Sequence, residues 1–231
     1  MALYVIGDLH LSFSTNKPMD IFGSRWDDHT KKIKDRWCLT DKDTVVLAGD
    51  TSWAINFKEL EADFEFLKSL KGRKILLKGN HDYWWNSITK MNNFAESFGD
   101  IEFLNNNTFE TEEFFICGTR GWIIEPGEAH DEKITSREAG RLRLSLETYK
   151  KRKSDKEPLV FLHYPPVFCG EENTEIINIM HEYGVNRCYY GHLHGAPAHA
   201  AAFEGLYKNI NMKLISADFL DFYPHKIMNI L

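Results

Sequence analysis

An apolar run gives way to polar residues within the segment Lys74-Ile75-Leu76-Leu77-Lys78-Gly79-Asn80-His81-Asp82. A short apolar run followed by glycine is typical of a buried β-strand. The residues after it offer an amide oxygen, an imidazole and a carboxylate in succession. On its own this piece is also compatible with an ordinary asparagine-rich turn. The rest of the chain decides between the two interpretations.

Two segments nearer the N-terminus repeat this pattern of an apolar run that ends in polar residues. Gly7-Asp8-Leu9-His10 follows the run Leu3 to Ile6, and the period of two places its aspartate and histidine on the same side of an extended backbone. Gly49-Asp50 follows the run Thr44 to Ala48. Taken singly, each segment has an ordinary explanation, such as a capping aspartate, a surface histidine or a lone aspartate after a strand.

Two more segments repeat the pattern in the second half of the chain. His163 ends the run Leu159 to Leu162, where a hydrogen-bonded core histidine is the ordinary alternative. Gly191-His192-Leu193-His194-Gly195 follows the run Arg187 to Tyr190 and carries two imidazoles two positions apart. Flanking glycines allow the backbone to approach a site closely, and paired imidazoles are common metal ligands. The last segment therefore indicates a metal site.

Strand-like runs alternate with helical segments, which predicts an α/β fold with crossover connections. A further strand is predicted at Phe114 to Cys117, and helical spacing predicts helices over residues 27–38, 56–70, 84–97, 135–153 and 172–184. After Gly195, shorter strand-like pieces at residues 200–203, 213–216 and 226–230 suggest a second, more antiparallel sheet. We therefore expect two packed mixed β-sheets flanked by helices, an α+β four-layer arrangement, in a single domain over residues 1–231.

Composition places the chain among soluble globular proteins, since 43% of its 231 residues are hydrophobic and 27% are charged. The net charge of -6 argues against a duplex nucleic acid partner, which needs a clustered basic surface. No apolar stretch is long enough to span a membrane, and Met1 to Asp8 does not resemble a signal peptide. The cysteines form no C-x-x-C pair and are expected to stay reduced. We expect a cytoplasmic protein.

The polar clusters are expected to converge, because the carboxyl ends of parallel strands meet at one edge of an α/β sheet. Together they supply more oxygen and nitrogen ligands than one ion needs: Asp8, His10, Asp50, Asn80, His163, His192 and His194. In sequence order the clusters read D-x-H, G-D, G-N-H-D, H and G-H-x-H. This order matches the signature of the calcineurin-like metallophosphoesterases, and the chain resembles that family from residue 7 to residue 195.

The resemblance implies a calcineurin-like phosphoesterase fold and a centre of two divalent metal ions. Position by position, one ion would be held by Asp8, His10, Asp50 and His194. The other would be held by Asp50, Asn80, His163 and His192, so that Asp50 bridges the two ions. Because the set contains no thiolate, it favours manganese, iron or zinc.

A mechanism follows from this ligand set. Two cations about 3.5 to 4 Å apart can hold a shared hydroxide at neutral pH and offset the charge on a phosphoryl group during in-line displacement. His81 directly follows Asn80, so we expect it to face the leaving group and to donate a proton to it. Asp82 either orients the His81 imidazole or caps a helix. Asp50 and His81 are therefore the predicted catalytic residues.

Substrate contacts are expected from the loops at residues 11–26 and 119–128, which follow predicted strands at the same edge. Arg25 and Arg120 are the candidate phosphate ligands, since a guanidinium group matches the geometry of phosphate oxygens. A surface salt bridge is the alternative for each arginine. Several tryptophans follow strand ends and either pack in the core or line the pocket: Trp26, Trp53, Trp84, Trp85 and Trp122.

The sequence thus predicts a hydrolase of small phosphodiesters or phosphomonoesters, whose partner is a small phosphorylated molecule. The diester is preferred because the G-N-H-D and G-H-x-H blocks resemble those of single-domain bacterial-type phosphodiesterases. A DNA-processing nuclease of the same superfamily is the second hypothesis, and the acidic composition and the lack of a capping domain count against it. A non-catalytic scaffold with this fold is the third, and the complete ligand set counts against it. The oligomeric state is left open.

Overall fold

The chain folds into two large β-sheets with helices packed on their outer faces. The computed structural model describes residues 1–123 and 132–229. The strands are β1 (Leu3–Ile6), β2 (Thr44–Ala48), β3 (Arg73–Leu77), β4 (Ile101–Phe103), β5 (Phe109–Glu110), β6 (Phe114–Thr119), β7 (Glu157–Leu162), β8 (Val167–Phe168), β9 (Glu171–Glu172), β10 (Arg187–Tyr190), β11 (Gly205–Tyr207), β12 (Ile210–Leu214) and β13 (His225–Ile227). The α-helices are α1 (His29–Arg36), α2 (Phe57–Ser69), α3 (Ile88–Ala95), α4 (Glu132–Lys150), α5 (Thr174–Glu182) and α6 (Gly195–Ala201). Short 3-10 helices lie at Asp20–Phe22, Ser24–Trp26 and Glu96–Phe98.

The centres of both sheets are parallel. The first sheet has the strand order β13-β1-β2-β3-β4, and the second has the order β11-β12-β10-β7-β6-β5. Strands β1 to β4 run parallel, as do β6, β7, β10 and β12. Antiparallel pairs join the outer strands β13, β11 and β5 to their neighbours. The parallel centres bring the carboxyl ends of several strands to the same edge of the molecule.

Apolar side chains pack on both faces of each sheet. The layer between the sheets is built from alternate strand residues, such as Val5, Val46 and Phe161. Along β2, the neighbouring residues Val45 and Leu47 point to the opposite face and belong to the layer under the helices. Strands covered on both faces read as continuous apolar runs, which is why the sequence predicted them. Each such buried side chain contributes about 1.5 to 3 kcal/mol to the free energy of unfolding.

Two of the helices begin at asparagine caps. Oδ1 of Asn56 accepts a hydrogen bond from the backbone N–H of Glu59 at 3.1 Å, at the start of α2. Oδ1 of Asn173 accepts one from the N–H of Ile176 at 3.1 Å, at the start of α5. Both helices lie where helical spacing predicted them, and the caps fix their first residues. Among the residues described here, no helix is both long enough and apolar enough to cross a membrane.

Some sequence predictions about local structure are wrong. Residues 200–203 do not form a strand, because α6 extends to Ala201. The second sheet is mostly parallel, and most of its strands precede Gly195. The helix expected from residue 84 begins only at Ile88, because the N–H of Trp85 closes a turn on the carbonyl of Asp82. The last predicted strand is β13, and residue 230 lies outside the described residues.

Candidate metal centre

The predicted ligands lie at the carboxyl ends of strands from both sheets. The elements supply them as follows: Asp8 and His10 after β1, Asp50 after β2, Asn80 after β3, His163 after β7, and His192 and His194 after β10. Backbone hydrogen bonds join the first two segments, since the N–H of Asp8 donates to the carbonyl of Gly49 at 2.9 Å and that of His10 to the carbonyl of Asp50 at 3.0 Å. The structure therefore brings all of these residues to one edge.

One group of donor atoms forms around His10 and His194. Nε2 of His10 lies 3.1 Å from Nε2 of His194, which in turn lies 3.6 Å from Oδ1 of Asp8. Oδ2 of Asp50 lies 3.8 Å from Nε2 of His10. Donor atoms of Asp8, His10 and His194 all lie within 4.8 Å of one another. They are close enough to share a cation.

A second group of donor atoms forms around Asn80 and His163. Oδ1 of Asn80 lies 2.6 Å from Nε2 of His163 and 3.0 Å from Nδ1 of His192. Oδ2 of Asp50 lies 3.5 Å from Nε2 of His163. The same carboxylate oxygen is thus near both groups. Donor atoms of Asp8, Asp50 and His163 also lie within 4.8 Å of one another.

Two of the imidazoles are oriented by acceptors behind them. Nδ1 of His163 lies 3.2 Å from the carbonyl oxygen of Ala48, so a proton on Nδ1 leaves Nε2 facing Asn80. Nδ1 of His194 lies 3.0 Å from Oδ1 of Asp218, so its Nε2 faces Asp8 in the same way. Contacts of this kind fix the ring orientation and the tautomer of metal-binding histidines.

Several predicted ligands adopt a backbone conformation that is uncommon for residues other than glycine. The φ angles of Asp8, His10, Asp50 and His192 are 60°, 46°, 49° and 74°, in the left-handed region. Non-glycine residues adopt this region at a cost in energy, and such strain concentrates at functional sites. The surrounding structure therefore holds these side chains where they are against a local preference.

Glycines beside the ligands allow the loops to approach one another. A Cβ on Gly79 would lie 2.0 Å from Oδ1 of Asp50, and one on Gly191 would lie 2.3 Å from Oδ2 of Asp8. Real Cβ atoms do not approach other atoms so closely, so any side chain at these positions forces a ligand to move. The glycines of G-N-H-D and G-H-x-H are thus required by packing.

The donor set fits divalent cations. Asp8 and Asp50 are buried, and neither forms an ion pair with a lysine or arginine among the described residues. Burial raises the pKa of both carboxyl groups, and the negative charges of Asp82 and Asp8 raise that of Asp50 further. Nδ1 of His10 is buried with no hydrogen-bond partner in the described part of the chain. Buried charges in proteins are either paired or coordinate metals, so these two carboxylates are candidate metal ligands.

His81 lines the same cavity as the ligands but contacts different groups. Its ring packs against Trp53, with the ring centroids 4.2 Å apart, and its Nδ1 lies 3.2 Å from the hydroxyl of Tyr83. Burial, and then the charges of the nearby histidines, lower the pKa of His81 to about 4. The imidazole is therefore neutral at pH 7 in the ligand-free protein.

Asp82 connects two loops of the site. It accepts hydrogen bonds from the backbone N–H groups of Gly79, Thr51 and Ser52 at 2.7, 3.0 and 3.2 Å, and from the indole of Trp84 at 3.1 Å. These contacts join the loop after β2 to the loop after β3. Neither role expected for Asp82 is found, because Ser87 is the N-cap of α3 and His81 contacts Tyr83.

The cavity that contains the ligands has a volume of about 420 Å³ and largely apolar walls. Its walls include Phe22, Trp53, Ile123, Tyr164, Phe168 and Leu193. No lysine or arginine lines it among the residues that the structure describes. Of the tryptophans singled out from the sequence, Trp53 lines this cavity, whereas Trp26 and Trp84 are buried in the core.

Neither of the two arginines predicted to bind phosphate lines this cavity. Nη1 of Arg25 donates a hydrogen bond to the carbonyl oxygen of Asp218 at 3.0 Å. Nη2 of Arg120 lies 3.6 Å from Oε1 of Glu138, and Arg120 lines a separate cavity. Residues 124–128 of the second predicted loop lie outside the described residues. Contacts of these arginines and loops with substrate stay predictions.

Asp218 is a site residue that sequence reasoning missed. It is buried, lies 3.0 Å from Nδ1 of His194, and accepts a hydrogen bond from the N–H of Gly195 at 2.9 Å. It follows β12, at the same edge as the ligands. A single aspartate after the apolar run Leu214-Ile215-Ser216-Ala217 was the available signal, and it carries no motif.

The fold and the donor set together define the class of metallophosphoesterases. A family model described as calcineurin-like phosphoesterase matches residues 1–196. The chain therefore belongs to the calcineurin-like phosphoesterase family, as its motifs indicated.

Two solved structures show the same fold. One is a protein of unknown function from Aquifex aeolicus, with a TM-score of 0.52 and 17% identity over 97% of this chain and 95% of that chain. The other is a phosphopantetheinyl hydrolase from Mycobacterium tuberculosis, with a TM-score of 0.58 and 12% identity over 98% of this chain and 95% of that chain. Because the sequence identities are this low, the two comparisons show a shared fold and nothing about a shared function. No curated protein sequence matches the chain.

Proposed function

We propose that the protein hydrolyses small phosphodiesters or phosphomonoesters with two divalent cations held by the predicted ligands. The observation that carries this proposal is the position of Asp50. Its Oδ2 lies 3.8 Å from Nε2 of His10 and 3.5 Å from Nε2 of His163. One carboxylate oxygen thus reaches both groups of donor atoms, as a bridging ligand must. The donor set suits manganese, iron or zinc.

Two divalent cations, when bound, lower the pKa of a water molecule and neutralise charge that develops on a phosphoryl group. The contribution of the chain is to hold the ligands rigidly. The Ala48 carbonyl orients His163, and the Asp218 carboxylate orients His194. Asp82 forms hydrogen bonds with both of the loops that carry Asp50 and Asn80. Such preorganisation is needed because small displacements of reacting groups are costly in rate.

His81 is the proposed proton donor to the leaving group. Its ring lies on the wall of the cavity, next in sequence to Asn80 and packed against Trp53. The imidazole is neutral at pH 7, and the negative charge of a bound phosphate ester raises its pKa, whereas bound cations oppose that rise. A proton taken up in this way would be delivered to the departing oxygen.

The walls of the cavity support a substrate whose non-phosphate part is neutral and partly apolar. Aromatic and aliphatic side chains surround the ligands, and no cationic side chain lines the cavity in the described part of the chain. Additional anionic groups on the substrate would therefore lack a partner there. A diester, which carries one negative charge, suits this lining better than a monoester does.

The test is hydrolysis of bis(4-nitrophenyl) phosphate and 4-nitrophenyl phosphate by the purified protein. We expect turnover of both esters, faster for the diester, which is lost on chelation and returns when manganese is added. Asp8→Asn protein purified in parallel controls for contaminating phosphatases. Turnover that persists after complete removal of metal, or that is equal in Asp8→Asn, contradicts the proposal.

A further inference from the structure

A second, polar cavity lies close to the metal centre but shares no lining residue with the metal-centre cavity among the described residues. It has a volume of about 190 Å³ and lies at the carboxyl ends of β3, β4 and β6, with α4 on one side. The polar side chains that line it are Lys78, Asn86, Asn105, Asn106, Thr119, Arg120 and Arg141. None of the polar side chains that line it in the described part of the chain is a carboxylate.

The charge around this cavity is positive. Glu138 is fully buried beside it, and its Oε1 lies 3.0 Å from Nη1 of Arg141, 3.6 Å from Nη2 of Arg120 and 3.6 Å from Nε of Arg137. One carboxylate thus faces three guanidinium groups, and Lys78 adds a further cation to the lining of the cavity. In a chain whose net charge is -6, this is a local excess of positive charge. A cavity of this kind concentrates anions.

Arg120 supplies an unused hydrogen-bond donor at this place. Its side chain is 15% exposed, and its Nε is buried with no hydrogen-bond partner among the described residues. The guanidinium group lies 5.4 Å from the ring centroid of Trp122 and 6.0 Å from that of Tyr164, which hold it in position. Buried donors are nearly always paired, so Arg120 has hydrogen-bonding capacity that the described residues leave unused.

We propose that this cavity binds a tetrahedral oxyanion, either inorganic phosphate or the phosphate group of a larger molecule. Guanidinium groups match the spacing of phosphate oxygens, and the lysine adds a point charge. The three asparagine side chains offer neutral N–H donors to the remaining oxygens. The volume of the cavity is large enough for one phosphate group. The site is independent of the proposed hydrolysis, because it needs no metal.

The test compares two arginines that both pair with Glu138. Arg141 lines the cavity, whereas Arg137 does not line it and is half exposed. Binding of inorganic phosphate to the metal-loaded wild-type, Arg141→Gln and Arg137→Gln proteins is measured by isothermal titration calorimetry. We expect Arg141→Gln to weaken one binding event about tenfold or more, which is the usual loss for a charge-assisted hydrogen bond. Arg137→Gln should change it less than about twofold.

An equal loss of phosphate affinity in the two variants, or no loss in either, would overturn the proposal. The arginines would then serve only to neutralise the charge of Glu138. If Arg141→Gln does not fold, Lys78→Gln removes a lining cation that forms no ion pair with Glu138 among the described residues, and the same tenfold loss is expected. A parallel titration with methylphosphonate distinguishes the source of the ligand. If methylphosphonate binds as tightly as phosphate, the ligand is a phosphate group carried on a larger molecule. If methylphosphonate binds much more weakly, the ligand is free phosphate.

Discussion

Oδ1 of Asp218 lies 3.0 Å from Nδ1 of His194, and this contact determines which ring nitrogen faces the other ligands. The carboxylate also accepts a hydrogen bond from the N–H of Gly195, and Nε2 of His199 lies 3.3 Å from it. Although burial opposes it, the contacts with His194 and His199 hold the pKa of Asp218 well below its usual range. The carboxylate is therefore ionised and keeps the proton of His194 on Nδ1.

Asp218→Asn should weaken cation binding, because the amide no longer provides the negative charge that orients His194 and raises its basicity. The expected loss in manganese affinity is about 10- to 100-fold, the usual effect of removing an outer carboxylate. Titration of manganese against a chelating indicator measures it. Asp221→Asn is the matched control, since Asp221 is exposed and pairs with Arg36. Equal affinities in the two variants would show that Asp218 does not support the metal centre.

Gly79→Ala should disrupt the site more than an alanine elsewhere in the fold. The added Cβ would lie 2.0 Å from Oδ1 and 2.2 Å from the backbone N of Asp50, so a bridging ligand must move. We expect a lower melting temperature and reduced metal content. Gly140→Ala is the control, because α4 leaves that position open and alanine there stabilises a helix by about 1 kcal/mol. Wild-type stability and metal content in Gly79→Ala would refute the packing argument.

His81→Ala and Asn80→Ala should fail in different ways. A proton donor contributes about 10² to 10⁴ in rate and matters most when the leaving group is poor. His81→Ala should therefore keep its metal, lose most activity on alkyl esters and lose much less on nitrophenyl esters. Asn80→Ala should lose metal and slow both substrates alike. Turnover over a series of leaving groups, with metal analysis, measures both effects. A uniform loss in His81→Ala would exclude the proton-donor role.

Lys74 should make stability depend on pH in alkaline solution. Its Nζ donates hydrogen bonds to the carbonyl oxygens of Leu70 and Gly72 at 2.5 and 2.7 Å, and burial lowers its pKa to about 8 in the folded protein. Between pH 8 and 10.5 the unfolded chain holds more protons at this residue than the folded chain, so the free energy of unfolding rises with pH. The rise is at most about 3 kcal/mol.

Urea denaturation across that pH window measures the effect as a difference between variants. Lys74→Met should remove the rise that the wild-type protein shows. Lys71→Met is the control, since Lys71 is exposed and should leave the pH dependence unchanged. If the free energy of unfolding depends on pH in the same way in the wild-type and Lys74→Met proteins, the claim that burial lowers the pKa of Lys74 is wrong.

The central strands were predictable because both of their faces are buried. Runs such as Thr44–Ala48 and Arg187–Tyr190 contain enough apolar residues to be recognised without a partner strand. The structure of residues 200–203 was not predictable, because a short alanine-rich run is compatible with a helix or a strand. Tertiary packing decides between the two. The parallel order of the second sheet depends on long-range pairing, such as β10 beside β12, that periodicity does not contain.

The residues that converge at one edge of the sheets could be selected from the sequence because each belongs to a short motif at a strand end. Asp218 belongs to no motif, and its contact with His194 spans 24 residues and depends on how β12 ends. The cationic cavity was missed for the same reason, since Lys78, Arg120 and Arg141 come from three separate elements. The single domain over residues 1–231 and the cytoplasmic location stay predictions.

The central claim is that Asp50 bridges two cations that the hydrolysis requires. The most direct measurement is the metal content of wild-type and Asp50→Asn proteins, taken together with turnover of bis(4-nitrophenyl) phosphate, with Asp221→Asn as the control. We expect two ions per wild-type chain, with fewer ions and little turnover in Asp50→Asn. Two ions and near-normal turnover in Asp50→Asn, or full turnover of the wild-type protein with a single ion, would contradict it.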